Sequence, residues 1–139
     1  DVLNMRFVPF SDKMNAVLSA ADLLVSRAGA GSISEIVRCR TPSILVPYPY
    51  AADNHQSLNA AFLEQKGGAI VCSDDRIQED LLEEVREVMF NEEFRDVLRR
   101  NLAAMDPGDV VAQVVADVIG RLQEEVVPQV TPSVLPFAG

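Results

Sequence analysis

Two short stretches hold most of the side chains that could do chemistry. The first is Arg27-Ala28-Gly29-Ala30-Gly31-Ser32-Ile33-Ser34-Glu35. It follows the apolar run Leu23-Leu24-Val25, which reads as a buried strand, and precedes Ile36 and Val37, which fit one face of a helix. Glycines at such a turn permit positive φ and let a ligand approach the main chain. The helix start behind them offers free N–H groups and partial positive charge. Ser32 and Glu35 also fit an S-x-x-E capping box. Arg27 can neutralise a phosphate or pair with one of the many acids. The stretch reads as an anion site, for a phosphate group. An ordinary tight turn in a parallel sheet is the competing reading, and glycine spacing alone does not separate the two.

The second stretch is Asp53-Asn54-His55-Gln56-Ser57-Leu58-Asn59-Ala60. It opens a helix, which Asp53 can cap. His55 and Gln56 then fall in the first turn. Both donate and accept hydrogen bonds, as recognition of a sugar hydroxyl or amide requires. The plainer reading is a solvated helix start. Glu35, about one turn into its own helix, can accept two ribose hydroxyls as the acidic residue of dinucleotide folds does; the plainer reading is a cap alone. Tyr48 and Tyr50 can shield a ligand or cover a sheet edge. No G-x-S-x-G elbow and no complete phosphate-cradling G-x-x-x-x-G-K-[ST] loop are present. A single histidine rules out a His-rich metal centre.

These residues need elements to position them. The order is βαβαβαβ followed by helices, the pattern of a Rossmann-like parallel α/β sheet with helices on both faces. Strands are expected over residues 3–8, 23–26, 43–47 and 69–72. The third is continuously apolar, as a strand covered on both faces should be. A helix after Ser11 places Met14, Val17, Leu18 and Ala21 on one face. Further helices are expected over 32–40, ended by Thr41-Pro42, and over 54–66, ended by Gly67-Gly68. Leu81, Leu82, Val85, Val88 and Met89 mark an amphipathic helix. A second starts near Glu92, with Phe94, Val97, Leu98, Leu102 and Met105 inward, and Pro107-Gly108 breaks it. A last stripe runs from Val110 to Leu122. In sheets of this kind ligands bind beyond the carboxyl ends of the strands, where both stretches fall.

Composition narrows the partners. With 139 residues the chain is one domain in size. Its net charge of -9 argues against a nucleic-acid footprint and against docking of this domain on an anionic membrane. No apolar run approaches a membrane span, and no basic segment of a signal peptide opens the chain. Cys39 and Cys72 share no motif and read as reduced core residues of a cytosolic protein. The strand at the very start suggests a piece of a longer protein. Residues 1–124 are expected to form the domain, and 125–139, with Pro128, Pro132 and Pro136, an extended or disordered tail.

Residues 27–35, Pro42 to Pro47 and residues 53–60 together resemble the C-terminal domain of the MurG family of peptidoglycan N-acetylglucosaminyltransferases. The likeness runs from about Phe7 to Leu122. Cys39-Arg40-Thr41 departs from the family's small residue before the proline, and nothing after about Glu124 matches. The resemblance implies the donor domain of a two-domain GT-B transferase, lacking its first strands and its acceptor-binding partner domain. It implies UDP-N-acetylglucosamine as substrate, with no cofactor or metal, and a lipid-linked muramyl peptide as acceptor through the missing half. Glu35 would hold the ribose, Gly29, Ala30 and Gly31 would lie along the diphosphate, with Arg27 near it, Phe10 and Ser11 would meet the uracil edge, and His55 and Gln56 would contact the sugar. No catalytic residue is expected in this chain. The implied location is cytoplasmic, peripheral on the inner membrane face. A glycolipid transferase of the same superfamily and a donor-binding subunit of a split transferase are the alternatives.

Overall fold

The computed structural model describes residues 5–50 and 54–126. Its elements in order are α1 (Met14–Ala20), β1 (Leu24–Ser26), α2 (Ala30–Cys39), β2 (Ser43–Leu45), α3 (His55–Gln65), β3 (Ile70–Val71), a 3-10 turn (Asp74–Arg76), α4 (Ile77–Met89), α5 (Glu92–Ala103) and α6 (Pro107–Val126). The strands form one parallel sheet in the order β1-β2-β3. Val25 lies opposite Ile44, and Ile44 opposite Ile70. With all three carboxyl ends at one edge, the loops after each strand converge there.

Alternation along the central strand builds the two faces. Leu45 points into a core with Ile33, Ile36 and Val37 of α2, Leu63 of α3 and Leu102 of α5. Ile44 and Val46 point the other way, into a core with Cys72, Val88 of α4 and Leu98 of α5. The Rossmann-like α/β class expected from the chain is the class observed. Each fully buried Ile or Leu contributes roughly 1.5–3 kcal/mol, so the sheet is held mainly by these two layers. Polar closures are few and specific. Thr41 Oγ1 donates to the Leu18 carbonyl at 2.8 Å, tying α2 to the end of α1.

Several expectations are corrected. The strand expected over residues 3–8 does not form in its described part, residues 5–8, which is exposed and joins no ladder; Phe7 is 85% exposed. A strand needs a hydrogen-bonded neighbour as well as apolar side chains, and this segment lies against none of the three strands. On α1 Leu18 is buried while Met14 and Val17 stay largely exposed. Leu82 and Met89 on α4, and Val111, Val115 and Ile119 on α6, also face outward. Helix α6 runs to Val126. From residue 127 the expected tail lies outside the described residues, as does Asp53.

Candidate functional site

The glycine turn sits at the carboxyl edge of β1, as its position in the chain requires. Its geometry differs from the expected one. Helix α2 begins at Ala30, two residues earlier than the capping-box reading places it, with Gly29 as N-cap. Gly29 has φ -66 and ψ 156, ordinary extended backbone, so the turn does not use positive φ. No side chain caps the helix. The first helical bond runs from the Ile33 N–H to the Gly29 carbonyl at 3.0 Å. The N–H groups of Ala30, Gly31 and Ser32 precede it and point away from the helix body. A Cβ at Gly31 would meet nothing within 4 Å. What the glycines provide is a bare, approachable helix start, the arrangement that receives anions.

Glu35 follows one turn later, half-buried, with no hydrogen bond or ion pair among the described residues. The Ser32–Glu35 box is therefore not formed: Ser32 is already inside the helix, where its side chain cannot act as N-cap. The carboxylate is left for another partner.

Helix α3 brings the second stretch alongside. Asn54 is its N-cap, in the left-handed conformation with φ 55. His55 and Gln56 are half-buried in its first turn. The Gln56 Oε1 accepts from the Tyr48 N–H at 2.8 Å. Its Nε2 lies 4.0 Å from where a Cβ on Gly29 would stand. Gln56 thus bonds to the loop after β2 and stands beside the glycine turn. One lone pair of its oxygen is therefore in use, while Nε2 has no protein acceptor among the described residues.

Arg27 has a partner too. It pairs with Asp74 at the end of β3 and lies over the ring of Tyr48, 5.4 Å from the centroid. Of the two roles open to it, pairing with an acid is the one observed. Phe10 is 82% exposed, and the Ser11 hydroxyl accepts from the Lys13 N–H at 3.1 Å. No hydrogen bond among the described residues joins either to the turn. Asn59, also in the second stretch, is a functional-site residue that sequence reasoning missed. It is buried, and its Nδ2 donates to the Ala28 carbonyl at 3.0 Å, pinning α3 to the loop before the glycines. An amide on the apolar face shared with Ala60 and Leu63 is the signal that could have found it, because buried polar groups are hydrogen-bonded.

A cavity of about 390 Å³ opens at the same edge, between Pro47, Tyr50, Ser57, Ala61 and Asp74. It does not include Gly29, Glu35 or Gln56. Among the described residues no group of three or more His, Cys, Asp or Glu could hold a metal ion, and no helix is long and apolar enough to cross a membrane.

Residues 1–114 match the family model described as "Glycosyltransferase family 28 C-terminal domain". The chain belongs to this family. Relatives of high similarity share one name, UDP-N-acetylglucosamine--N-acetylmuramyl-(pentapeptide) pyrophosphoryl-undecaprenol N-acetylglucosamine transferase. The protein of that name from Opitutus terrae is 49% identical over 104 residues, 75% of this chain and 27% of its own length. The one from Desulfotalea psychrophila is 42% identical over 109 residues, covering 78% and 30%. The one from Burkholderia ambifaria is 36% identical over 124 residues, covering 88% and 34%. The crystal structure of Acinetobacter baumannii MurG superposes with a TM-score of 0.67 at 28% identity, over 85% of this chain and 35% of that one. The chain therefore spans about a third of the proteins it matches.

Proposed function

We propose that this family 28 domain binds the donor in an inverting glycosyltransferase. The enzyme moves N-acetylglucosamine from UDP-N-acetylglucosamine to undecaprenyl-diphospho-muramoyl-pentapeptide in peptidoglycan synthesis. The observation that carries the reading is Glu35. A half-buried carboxylate without a partner among the described residues stands one turn behind a bare helix start at the carboxyl edge of a parallel sheet. A nucleoside diphosphate fits that pair of features, with phosphate on the N–H groups and ribose hydroxyls on the carboxylate.

In this reading the diphosphate lies along Gly29, Ala30 and Gly31, and the sugar extends over the start of α3 toward His55 and Gln56. Phe10 and Ser11 belong to the uracil side. UDP-N-acetylglucosamine is a substrate, and no cofactor or metal enters. The acceptor, its catalytic base and the contact with the inner face of the membrane lie in parts of the protein beyond this chain. The shared name of the relatives favours the muramyl peptide over a diacylglycerol acceptor.

A hydrogen bond to a charged group contributes about 1.5–3 kcal/mol. In the intact protein Glu35→Ala is accordingly expected to weaken UDP binding roughly 10- to 150-fold. Titration calorimetry on wild type and variant measures this. Unchanged UDP affinity in a folded variant would overturn the ribose role.

A further inference from the structure

Arg27 follows β1, yet its guanidinium serves the ends of all three strands. Its Nη1 donates to the carbonyls of Val46 at 3.3 Å and Pro47 at 3.5 Å, beyond β2, and to Oδ1 of Asp74, beyond β3. The same guanidinium lies over Tyr48, and Tyr48 sits edge-on to Tyr50 with ring centroids 5.7 Å apart. Segment 46–48 is therefore held from one side by Arg27. From its other side the Tyr48 N–H donates to Gln56 Oε1. That bond fixes which way the amide faces: the oxygen is turned to the Tyr48 N–H, and Nε2 is left on the side of the glycine turn.

We propose that Asp74 is a positioning residue for sugar recognition. Through Arg27 and the main chain of residues 46–48 it holds Gln56 with its NH2 group presented to the donor. The site then selects a ligand offering an acceptor there, a sugar hydroxyl oxygen or an amide carbonyl. This rests on the reading of this edge as the UDP-sugar site. The side chains of Arg27 and Asp74 are 46% and 30% exposed, so the pair contributes little to stability. Its effect is on geometry, and the two are separable by measurement.

Asp74→Asn keeps the shape and removes the charge. In the intact protein it is expected to raise KM for UDP-N-acetylglucosamine roughly 2- to 10-fold, the worth of one net hydrogen bond. kcat and inhibition by plain UDP should stay near wild type, because neither reads Gln56. Asp74→Glu should recover most of the loss. In a Gln56→Ala background Asp74→Asn should add nothing, since its effect runs through that amide. Without ligand, the side-chain NH2 resonances of Gln56 should shift in Asp74→Asn. Unmoved resonances, an equal loss for UDP and the sugar donor, or additivity with Gln56→Ala would each overturn the proposal. Shifted resonances with a Gln56→Ala variant that uses the sugar donor normally would separate the two ideas. The clasp would stand as architecture, while the sugar reading of this edge, and the inference built on it, would fall.

Discussion

Two glycine turns in this chain look alike in sequence and are opposite in structure. Gly29 and Gly31 flank Ala30 at the carboxyl edge of the sheet. Gly67 and Gly68 join α3 to β3 at the amino edge. Gly67 has φ +69, and a Cβ there would stand 2.6 Å from Asn101 Nδ2. One on Gly68 would stand 2.8 Å from Met105 and 2.9 Å from Leu102. The backbone bonds from Gly67 N–H to Glu64 and from Gly68 N–H to Leu63, both 2.9 Å, close the end of α3. At the other edge no positive φ is used and the space over Gly31 is empty. One pair is glycine because the protein itself fills the space. The other has no more than Gln56 Nε2, 4.0 Å from a Cβ on Gly29, and nothing within 4 Å of one on Gly31, which is how a surface kept for a ligand differs from one kept for packing.

The sharpest way to break this contrast is to add one methyl at each place. Gly67→Ala should destabilise by about 1–2 kcal/mol from the left-handed backbone alone, with more from crowding the amide that donates to the Gly67 carbonyl at 2.9 Å. Thermal unfolding should show a midpoint lower by several degrees, with UDP affinity of the folded protein retained. Gly31→Ala should do the reverse. In the first turn of α2 alanine gains at most the roughly 0.5–1 kcal/mol it has over glycine in mid-helix, so the midpoint should hold or rise while UDP binding weakens. A variant that gained stability and kept full UDP affinity would show that no ligand approaches this turn.

Two carboxylates repeat the contrast with a smaller effect. Glu35 is partly exposed and has no hydrogen bond or ion pair among the described residues. Glu84 on α4 has Oε2 buried with no hydrogen-bond partner among the described residues. Burial, then the charge of Asp80, push its pKa above the ordinary carboxylate value of 4.5. The sign follows from linkage: below about pH 4.5 both states are protonated and nothing is lost, whereas above it the unfolded chain ionises more freely and the native state is penalised. Glu84→Gln should therefore raise stability near pH 7 and leave it unchanged near pH 3. Denaturant titrations at the two pH values measure this, and an equal gain at both would mean packing rather than charge.

Where the sequence pattern was enough and where it was not follows the range of the interactions. The three described strands, their parallel order and the stops at Thr41-Pro42, Gly67-Gly68 and Pro107-Gly108 rest on local pattern and were legible. The strand expected over residues 3–8 was apolar enough, but pairing is not a local property. The start of α2 was misread because Ser32 and Glu35 match a capping box that Gly29 pre-empts. Arg27 illustrates the limit for the site. Its type allowed phosphate or acid, and only the folded chain shows Asp74, 47 positions away, beside it. Leu82, Met89, Val111, Val115 and Ile119 fit helical stripes, yet a stripe wider than its neighbour leaves one flank in solvent.

Helix α5 carries one residue for each side of the sheet, Leu98 in one core and Leu102 in the other. That placement has a consequence for synthesis. The three strands leave the ribosome in order, each joined to the next by one helix, with partners 19 (43 minus 24) and 26 (70 minus 44) positions apart, a separation at which parallel pairing is slow. Leu98 and Leu102 follow later, joining layers that α2, α3 and α4 have begun over Leu45 and Ile44. From Val71, the last strand residue, to Leu102 is 31 positions (102 minus 71). At about 5–20 residues per second this is an interval of roughly 2–6 seconds. During it each layer lacks a buried leucine, and a single later helix supplies both.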